Sequence, residues 1–125
     1  MINIVLASGE IDRFSAMVDA LNSHGIKVTP VHSGALALSM ISNGSCDVLI
    51  ADELLPDMTG KVLITKTVAR NPFINCVAVS KLSHEDFHEE YEGMGVLMQF
   101  PPTPAPAEVE NLLNHLDKIA SLSKK

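Results

Sequence analysis

The chain has 125 residues, the length of one ordinary domain, and its 46% hydrophobic and 19% charged residues are typical of a folded globule. Nine basic residues against fifteen acidic ones give a net charge of −6, which disfavours direct binding to a nucleic-acid backbone. Its apolar runs are shorter than the roughly 20 residues of a membrane span, and no basic signal-peptide start is evident. We therefore expect a cytoplasmic protein that does not contact membranes.

Apolar patterns in the first half of the chain predict two strand–helix units. Residues 2–6 form a continuous apolar run, and apolar residues at helical spacing then continue as far as His24. A more polar strand over residues 26–29 precedes a helix that Ser33 can cap and that Asn43 and Gly44 end.

The second half repeats the alternation three times. Residues 48–51 are apolar on both faces, as in a central parallel strand, and residues 61–70 form the next helix. Strands at residues 76–79 and 96–98 flank a short acidic helix that Ser83 can cap. A long amphipathic helix then carries the apolar residues Val109, Leu112, Leu113, Leu116, Ile119 and Ala120.

Five strands that alternate with five helices predict an α/β fold of three layers. Right-handed crossovers then give a parallel sheet covered by helices on both faces, and ligands bind such sheets beyond the carboxyl ends of the strands. We predict one domain over residues 1–122, with residues 123–125 as a tail or the start of a linker. The two cysteines, Cys46 and Cys76, lack CxxC spacing and are interpreted as reduced, buried thiols, with a disulfide as the less favoured alternative.

Asp52 follows the central strand directly, at the edge of the sheet where ligands bind. Residues 47–52 and the loop after them resemble the phosphoacceptor strand and loop of the receiver domains of bacterial two-component response regulators. The resemblance extends over essentially the whole chain and rests on Asp52, Pro56, Met58, Gly60, Ser80, Gly93 and Pro101. It implies a flavodoxin-like fold with the five parallel strands in the order 2-1-3-4-5.

The resemblance also implies a site. In receiver domains an aspartate accepts a phosphoryl group from a kinase histidine, an acidic pair and a backbone carbonyl help to bind Mg²⁺, and a lysine contacts the phosphoryl group. By this likeness Asp52 is the phosphoacceptor and a Mg²⁺ ligand, Ser80 contacts the phosphoryl group, and Leu54 offers the backbone carbonyl. An aspartate that merely caps its loop is the alternative.

Four positions depart from the receiver pattern. Ala7 and Ser8 stand where the acidic pair is expected, Phe100 replaces the lysine, and Leu97 replaces an aromatic switch residue. A lost unit-charge contact at about 4 Å is worth roughly 4 kcal/mol at an effective dielectric of about 20, or about three decades in rate if all of it acts on the transition state. Asp52 alone is a poor Mg²⁺ site. The residues that could compensate are Glu10, Asp12, Glu53 and Lys81.

We therefore predict a receiver-like signalling domain that is phosphorylated poorly or not at all and acts through contacts with a histidine kinase or an output domain. It is not expected to be an enzyme, beyond at most self-catalysed phosphoryl transfer to Asp52. The first alternative is a functional phosphoacceptor with a rearranged metal site, and a distant one is a small-ligand-binding flavodoxin-like protein. Mg²⁺ is the one cofactor that the resemblance suggests.

Two further segments attract attention. His84 and His88 match the H-E-x-x-H zinc pattern, but their helix is short and acidic and is better explained as a solvated face. By resemblance, the fourth helix, the fifth strand and the fifth helix form a surface for homodimerisation or output. Four prolines stiffen residues 101–106, and the Phe100–Pro101 bond is a candidate for the cis isomer.

Overall fold

The computed structural model describes residues 2–123. Its strands are β1 (Asn3–Ala7), β2 (Lys27–Val31), β3 (Val48–Ala51), β4 (Asn75–Val79) and β5 (Val96–Phe100). Its α-helices are α1 (Ser15–Ser23), α2 (Gly34–Ser42), α3 (Gly60–Arg70), α4 (His84–Tyr91) and α5 (Pro106–Ser123). A short 3-10 helix, Ile11–Phe14, precedes α1.

The strands form one parallel sheet in the order β2-β1-β3-β4-β5, which confirms the predicted fold class. Ala51 lies in register with Ala7 on one side and with Ala78 on the other, so β1, β3 and β4 end at the same edge. The residues that follow these strands are therefore brought together.

Apolar residues pack on both faces of the sheet and give the predicted three layers. On one face, α2, α3 and α4 contribute buried side chains that include Leu38, Leu63 and Phe87. On the other face, α1 and α5 contribute Met17 and Leu112, among others. Successive residues of each strand point to opposite faces of the sheet and supply the remaining core residues of both layers.

Element boundaries follow local chemistry. Ser33 Oγ accepts a hydrogen bond from Leu36 N, and Ser83 Oγ accepts one from Asp86 N, so both predicted helix caps are confirmed. β2 continues beyond the predicted end and includes Pro30, which an edge strand tolerates because it needs fewer backbone donors. α5 reaches Ser123, and residues 124 and 125 of the predicted tail lie outside the described residues.

Cys46 and Cys76 are buried and are not joined by a disulfide, as predicted. Burial raises the pKa of Cys46 to about 11 and that of Cys76 to about 12, so both thiols stay protonated at neutral pH. Within residues 2–123, no helix combines the length and the apolar character that crossing a membrane requires.

Candidate functional site

Asp52 continues the β1–β3 ladder by one residue, because its backbone N–H donates to Ala7 O at 2.9 Å. Only 4% of the surface of Asp52 is exposed, so the residue is almost fully buried. Gly60 opens α3 directly against it, and a Cβ at this position would overlap the Asp52 carbonyl oxygen. Close packing against the Asp52 backbone therefore explains why a glycine is required at position 60.

Three donors hold the carboxylate of Asp52. Its Oδ2 accepts a hydrogen bond from Ser8 Oγ at 2.7 Å. Its Oδ1 accepts one from Glu53 N at 2.8 Å and one from Arg13 Nη2 at 2.8 Å. Both oxygens are thus engaged from within the chain, and one of the donors carries a full positive charge.

Arg13, which sequence reasoning missed, is the central cation of the site. Its Nη1 donates to Glu10 Oε1 at 3.2 Å and its Nε donates to Pro102 O at 3.0 Å. The hydrogen bond to Asp52 is the largest cause that raises the pKa of Arg13. Arg13 is the first basic residue in the chain and lies in the connection after β1, which is the signal that could have identified it.

A cavity of about 270 Å³ adjoins Asp52 and contains three of the four predicted compensating residues, namely Glu10, Glu53 and Lys81. Asp12 is exposed and is not among the residues that line it. Arg13, rather than Lys81, is the basic side chain that contacts Asp52. Leu54 also lines the cavity, with 71% of its surface exposed, and its role as a metal ligand stays a prediction.

The four departures from the receiver pattern have different environments. Ala7 and Ser8 are fully buried, and Ser8 contributes a hydroxyl donor where a carboxylate was expected. Phe100 is also fully buried and belongs to the core that α1 and α5 cover, so its side chain brings no charge to the site. Leu97 is half-buried against the same core.

Ser80 is 2% exposed and is held by its own loop. Its Oγ accepts a hydrogen bond from Leu82 N at 3.1 Å, and its backbone N–H donates to Phe100 O at 3.0 Å. Gln99 Nε2 donates to the carbonyls of Ser80 and Leu82 at 3.3 Å and 2.8 Å. The cavity is lined by the neighbours of Ser80 on either side, so a phosphoryl contact by Ser80 stays a prediction.

The residues present do not fit the Mg²⁺ that receiver domains use. Mg²⁺ requires oxygen ligands at roughly 2.0–2.1 Å in octahedral geometry. Here the guanidinium of Arg13 occupies one oxygen of Asp52, and β1 ends without a carboxylate. Among residues 2–123, no three His, Cys, Asp or Glu side chains form a group that could hold a metal ion.

The proline-rich loop after β5 closes one side of the site through Pro102, whose carbonyl accepts from Arg13. The prediction of a cis Phe100–Pro101 bond is wrong, because this bond and every other described peptide bond are trans. Trans is the intrinsically favoured isomer of an X–Pro bond, by roughly 0.5–1 kcal/mol.

A second, larger cavity of about 690 Å³ lies between α4 and β5. His84 and His88 line it from α4, and Leu97 and Gln99 line it from β5. The two imidazole rings meet edge to face with their centroids 4.6 Å apart. The acidic face of α4 is tied to α3 by an ion pair of 2.7 Å between Glu90 and Lys61.

Several solved structures of response-regulator receiver domains are similar to this chain. A CheY-like response regulator receiver domain protein from Methanospirillum hungatei has a TM-score of 0.82 and 18% identity, covering 94% of this chain and 95% of its own. The Francisella response regulator 1452 receiver domain has a TM-score of 0.82 and 19% identity, covering 96% and 99%. For chemotaxis protein CheY4 of Vibrio cholerae the TM-score is 0.77 and the identity 20%, covering 94% and 98%.

No protein-family model and no curated protein matches the chain. At identities of 18–20%, the structural likeness establishes the fold. The chain therefore has the fold of response-regulator receiver domains, and the predicted resemblance is confirmed at that level.

Proposed function

We propose that this chain is a receiver-like signal-transduction domain of a two-component or phosphorelay system that is phosphorylated poorly or not at all and acts through protein contacts. The proposal is based on the observation that both oxygens of the Asp52 carboxylate already accept hydrogen bonds from within the chain. Arg13, Ser8 and the backbone N–H of Glu53 donate to its two oxygens, and the residue is 4% exposed.

Phosphorylation requires one carboxylate oxygen to attack phosphorus, and the attacking oxygen has to give up donors that occupy its lone pairs. A hydrogen bond to a charged group contributes about 1.5–3 kcal/mol, so attack by Oδ1, which loses the Arg13 contact, is slowed by about ten-fold or more. Attack by Oδ2 has to give up the hydrogen bond from Ser8 instead. The buried Phe100 supplies no charge in compensation. These terms favour an aspartate that holds its loops together over one that accepts a phosphoryl group.

The partners that we propose are a histidine kinase or an output domain. The cavity between α4 and β5 offers such a partner half-buried apolar side chains, including Leu97 and Met98, beside acidic residues of α4. A second copy of the chain, docked through α4, β5 and α5, is the homodimeric form of the same proposal. We propose no catalytic activity for such a domain beyond, at most, self-catalysed phosphoryl transfer to Asp52.

A functional phosphoacceptor is the second candidate, and one observation favours it. Two basic residues, Arg13 and Lys81, line the cavity beside Asp52. A phosphoryl group on Asp52 would share this cavity with both and could gain cationic contacts of the kind that a receiver lysine supplies. In this candidate Arg13 moves from the carboxylate to a phosphoryl oxygen, and the only reaction is self-catalysed transfer to Asp52.

Incubation with Mg²⁺ and acetyl phosphate, followed by intact-mass spectrometry, separates the two candidates. We expect no stoichiometric mass gain for this chain under conditions that phosphorylate a receiver domain with a complete acidic pair and lysine. Asp52→Asn is the control for modification at other residues. A stoichiometric, base-labile gain that Asp52→Asn abolishes would overturn the proposal and establish the second candidate.

A further inference from the structure

The guanidinium of Arg13 joins three separate segments of the chain. It contacts Glu10 in the connection after β1, Asp52 at the end of β3, and the Pro102 carbonyl in the loop after β5. The side chain also lies over the ring of Phe14, with its central carbon 5.0 Å from the ring centroid. Nε, Nη1 and Nη2 each have a different partner, so the position of the guanidinium group is fixed, and the group is always charged.

Asp52 requires a positive charge in this environment. Its side chain is 6% exposed, and a buried carboxylate is costly unless a counter-charge and hydrogen bonds compensate it. Ser8 and the Glu53 N–H supply hydrogen bonds but no net charge. In the part of the chain that the structure describes, Arg13 is the only basic residue within ion-pair distance of Asp52.

The same guanidinium prevents a metal ion from binding. A divalent cation on Asp52 Oδ1 would meet a unit positive charge whose nitrogen is 2.8 Å from that oxygen. Arg13 also holds Glu10, a carboxylate that could otherwise turn toward the cation. Glu53 follows Asp52 directly and lines the same cavity, but the two carboxylates that the arginine holds are those of Glu10 and Asp52.

We propose that Arg13 is the resident cation of this site, taking the place of the divalent metal ion, and that removal of its charge lets a divalent cation bind at the two carboxylates that it now holds, Asp52 and Glu10. The proposal rests on the proposed function only in taking Asp52 as the residue at the phosphoacceptor position of the receiver pattern. According to this proposal, the site of the natural chain does not need a metal ion. One side chain that is not part of the receiver pattern, Arg13, then determines whether a metal ion can bind.

The test is titration with Mn²⁺ alone, followed by paramagnetic broadening of backbone amide signals. In Arg13→Gln, which keeps hydrogen-bonding capacity but removes the charge, we expect selective broadening of the amides of Ser8 and Glu53. The apparent affinity there should exceed that of the natural chain by about ten-fold or more, because a neighbouring unit charge has been removed. Added Mg²⁺ should reverse the broadening by competition.

Three variants serve as controls. Arg70 is the other arginine of the chain and lies in the last turn of α3, where its Nη1 donates to Ser42 Oγ at 2.7 Å. Arg70→Gln should leave the Mn²⁺ response unchanged, and Arg13→Lys should resist Mn²⁺ because it keeps the charge even if the hydrogen bonds change. Arg13→Gln combined with Asp52→Asn should lose the site.

Selective Mn²⁺ broadening around Asp52 in the natural chain or in Arg13→Lys would overturn the inference, and so would its absence in a folded Arg13→Gln. An Arg13→Gln chain that no longer gives a dispersed amide spectrum is replaced by Arg13→Met, for which the same gain is expected. Failure here is distinct from failure of the proposed function. Phosphorylation of the natural chain in the presence of a chelator would overturn the function and leave this inference intact.

Discussion

Two aspartates of the same loop, Asp52 and Asp57, are held in different ways. Asp52 is nearly buried and is held by the side chains of Arg13 and Ser8, together with the backbone N–H of Glu53. Asp57 is exposed, and its carboxylate accepts hydrogen bonds from the backbone N–H groups of Gly34 and Ala35 at 2.9 Å and 3.0 Å.

The comparison distinguishes the contacts that hold the loops of the site in place from the contacts that supply its charge. Asp57 takes two of the unpaired donors at the start of α2, so it ties the loop to a helix end through backbone groups. Asp52 depends on a charged side chain from another connection, and its chemistry changes whenever that side chain changes. The receiver frame can therefore persist in this chain while the charges that served phosphoryl transfer are replaced.

The largest expected effect tests the charge that holds Asp52. Arg13→Met keeps most of the aliphatic stem but leaves the Asp52 carboxylate buried without a counter-charge. We expect a loss of about 2 kcal/mol in the free energy of unfolding, between the values for buried and surface pairs, because the Arg13 side chain is 29% exposed. Asp52→Asn should cost less, about 1 kcal/mol, since the remaining guanidinium can turn toward water. Urea denaturation measures both.

A double-mutant cycle sharpens this prediction. Arg13→Met combined with Asp52→Asn should cost clearly less than the sum of the two single changes, because each removes the same ion pair. Arg70→Met is the matched control and should change stability by less than about 0.5 kcal/mol. Additive costs in the cycle would mean that the Arg13–Asp52 contact contributes nothing to the fold.

A smaller effect is expected where the donors are backbone groups. Asp57→Ala leaves the N–H groups of Gly34 and Ala35 to water, so the urea midpoint should fall, but by less than in Arg13→Met. Asp19→Ala, at an exposed position within α1, is the control and should not lower the midpoint. An equal or larger fall for Asp57→Ala than for Arg13→Met would reverse the ranking of the two aspartates.

Much of this frame could be predicted from local patterns. The run Val48–Ala51 is apolar on both faces because β3 is central in the sheet, and the buried residues Phe87 and Tyr91 form a narrow apolar stripe on α4. The place of Asp52 follows from the end of β3 at the sheet edge. These features depend on neighbours in the chain, which periodicity and turn chemistry report.

The contacts of the carboxylates could not be predicted in the same way. Arg13 reaches Asp52 from the 3-10 helix at Ile11–Phe14, whereas the sequence pattern indicated only a helix after β1 and no separate turn before it. The hydrogen bonds of Asp57 require the start of α2 to lie beside a loop 22–23 residues away in the chain. Lys81 was a reasonable replacement for the missing cation by position, but the connection after β1 supplied it instead.

The smallest effect concerns the pH dependence of the backbone-held aspartate. Hydrogen bonds from Gly34 and Ala35 lower the pKa of Asp57 in the folded chain below its ordinary value of 3.8. A group with a lowered folded pKa contributes stability above its unfolded pKa, and this contribution is lost as the pH falls through the folded pKa. The stability difference between the natural chain and Asp57→Asn should therefore be constant from neutral pH to about pH 5 and shrink below about pH 4. Urea midpoints measured down to about pH 2.5 test this. A difference that persists or grows at the lowest pH would mean that the charge of Asp57 is not what ties the loop to α2.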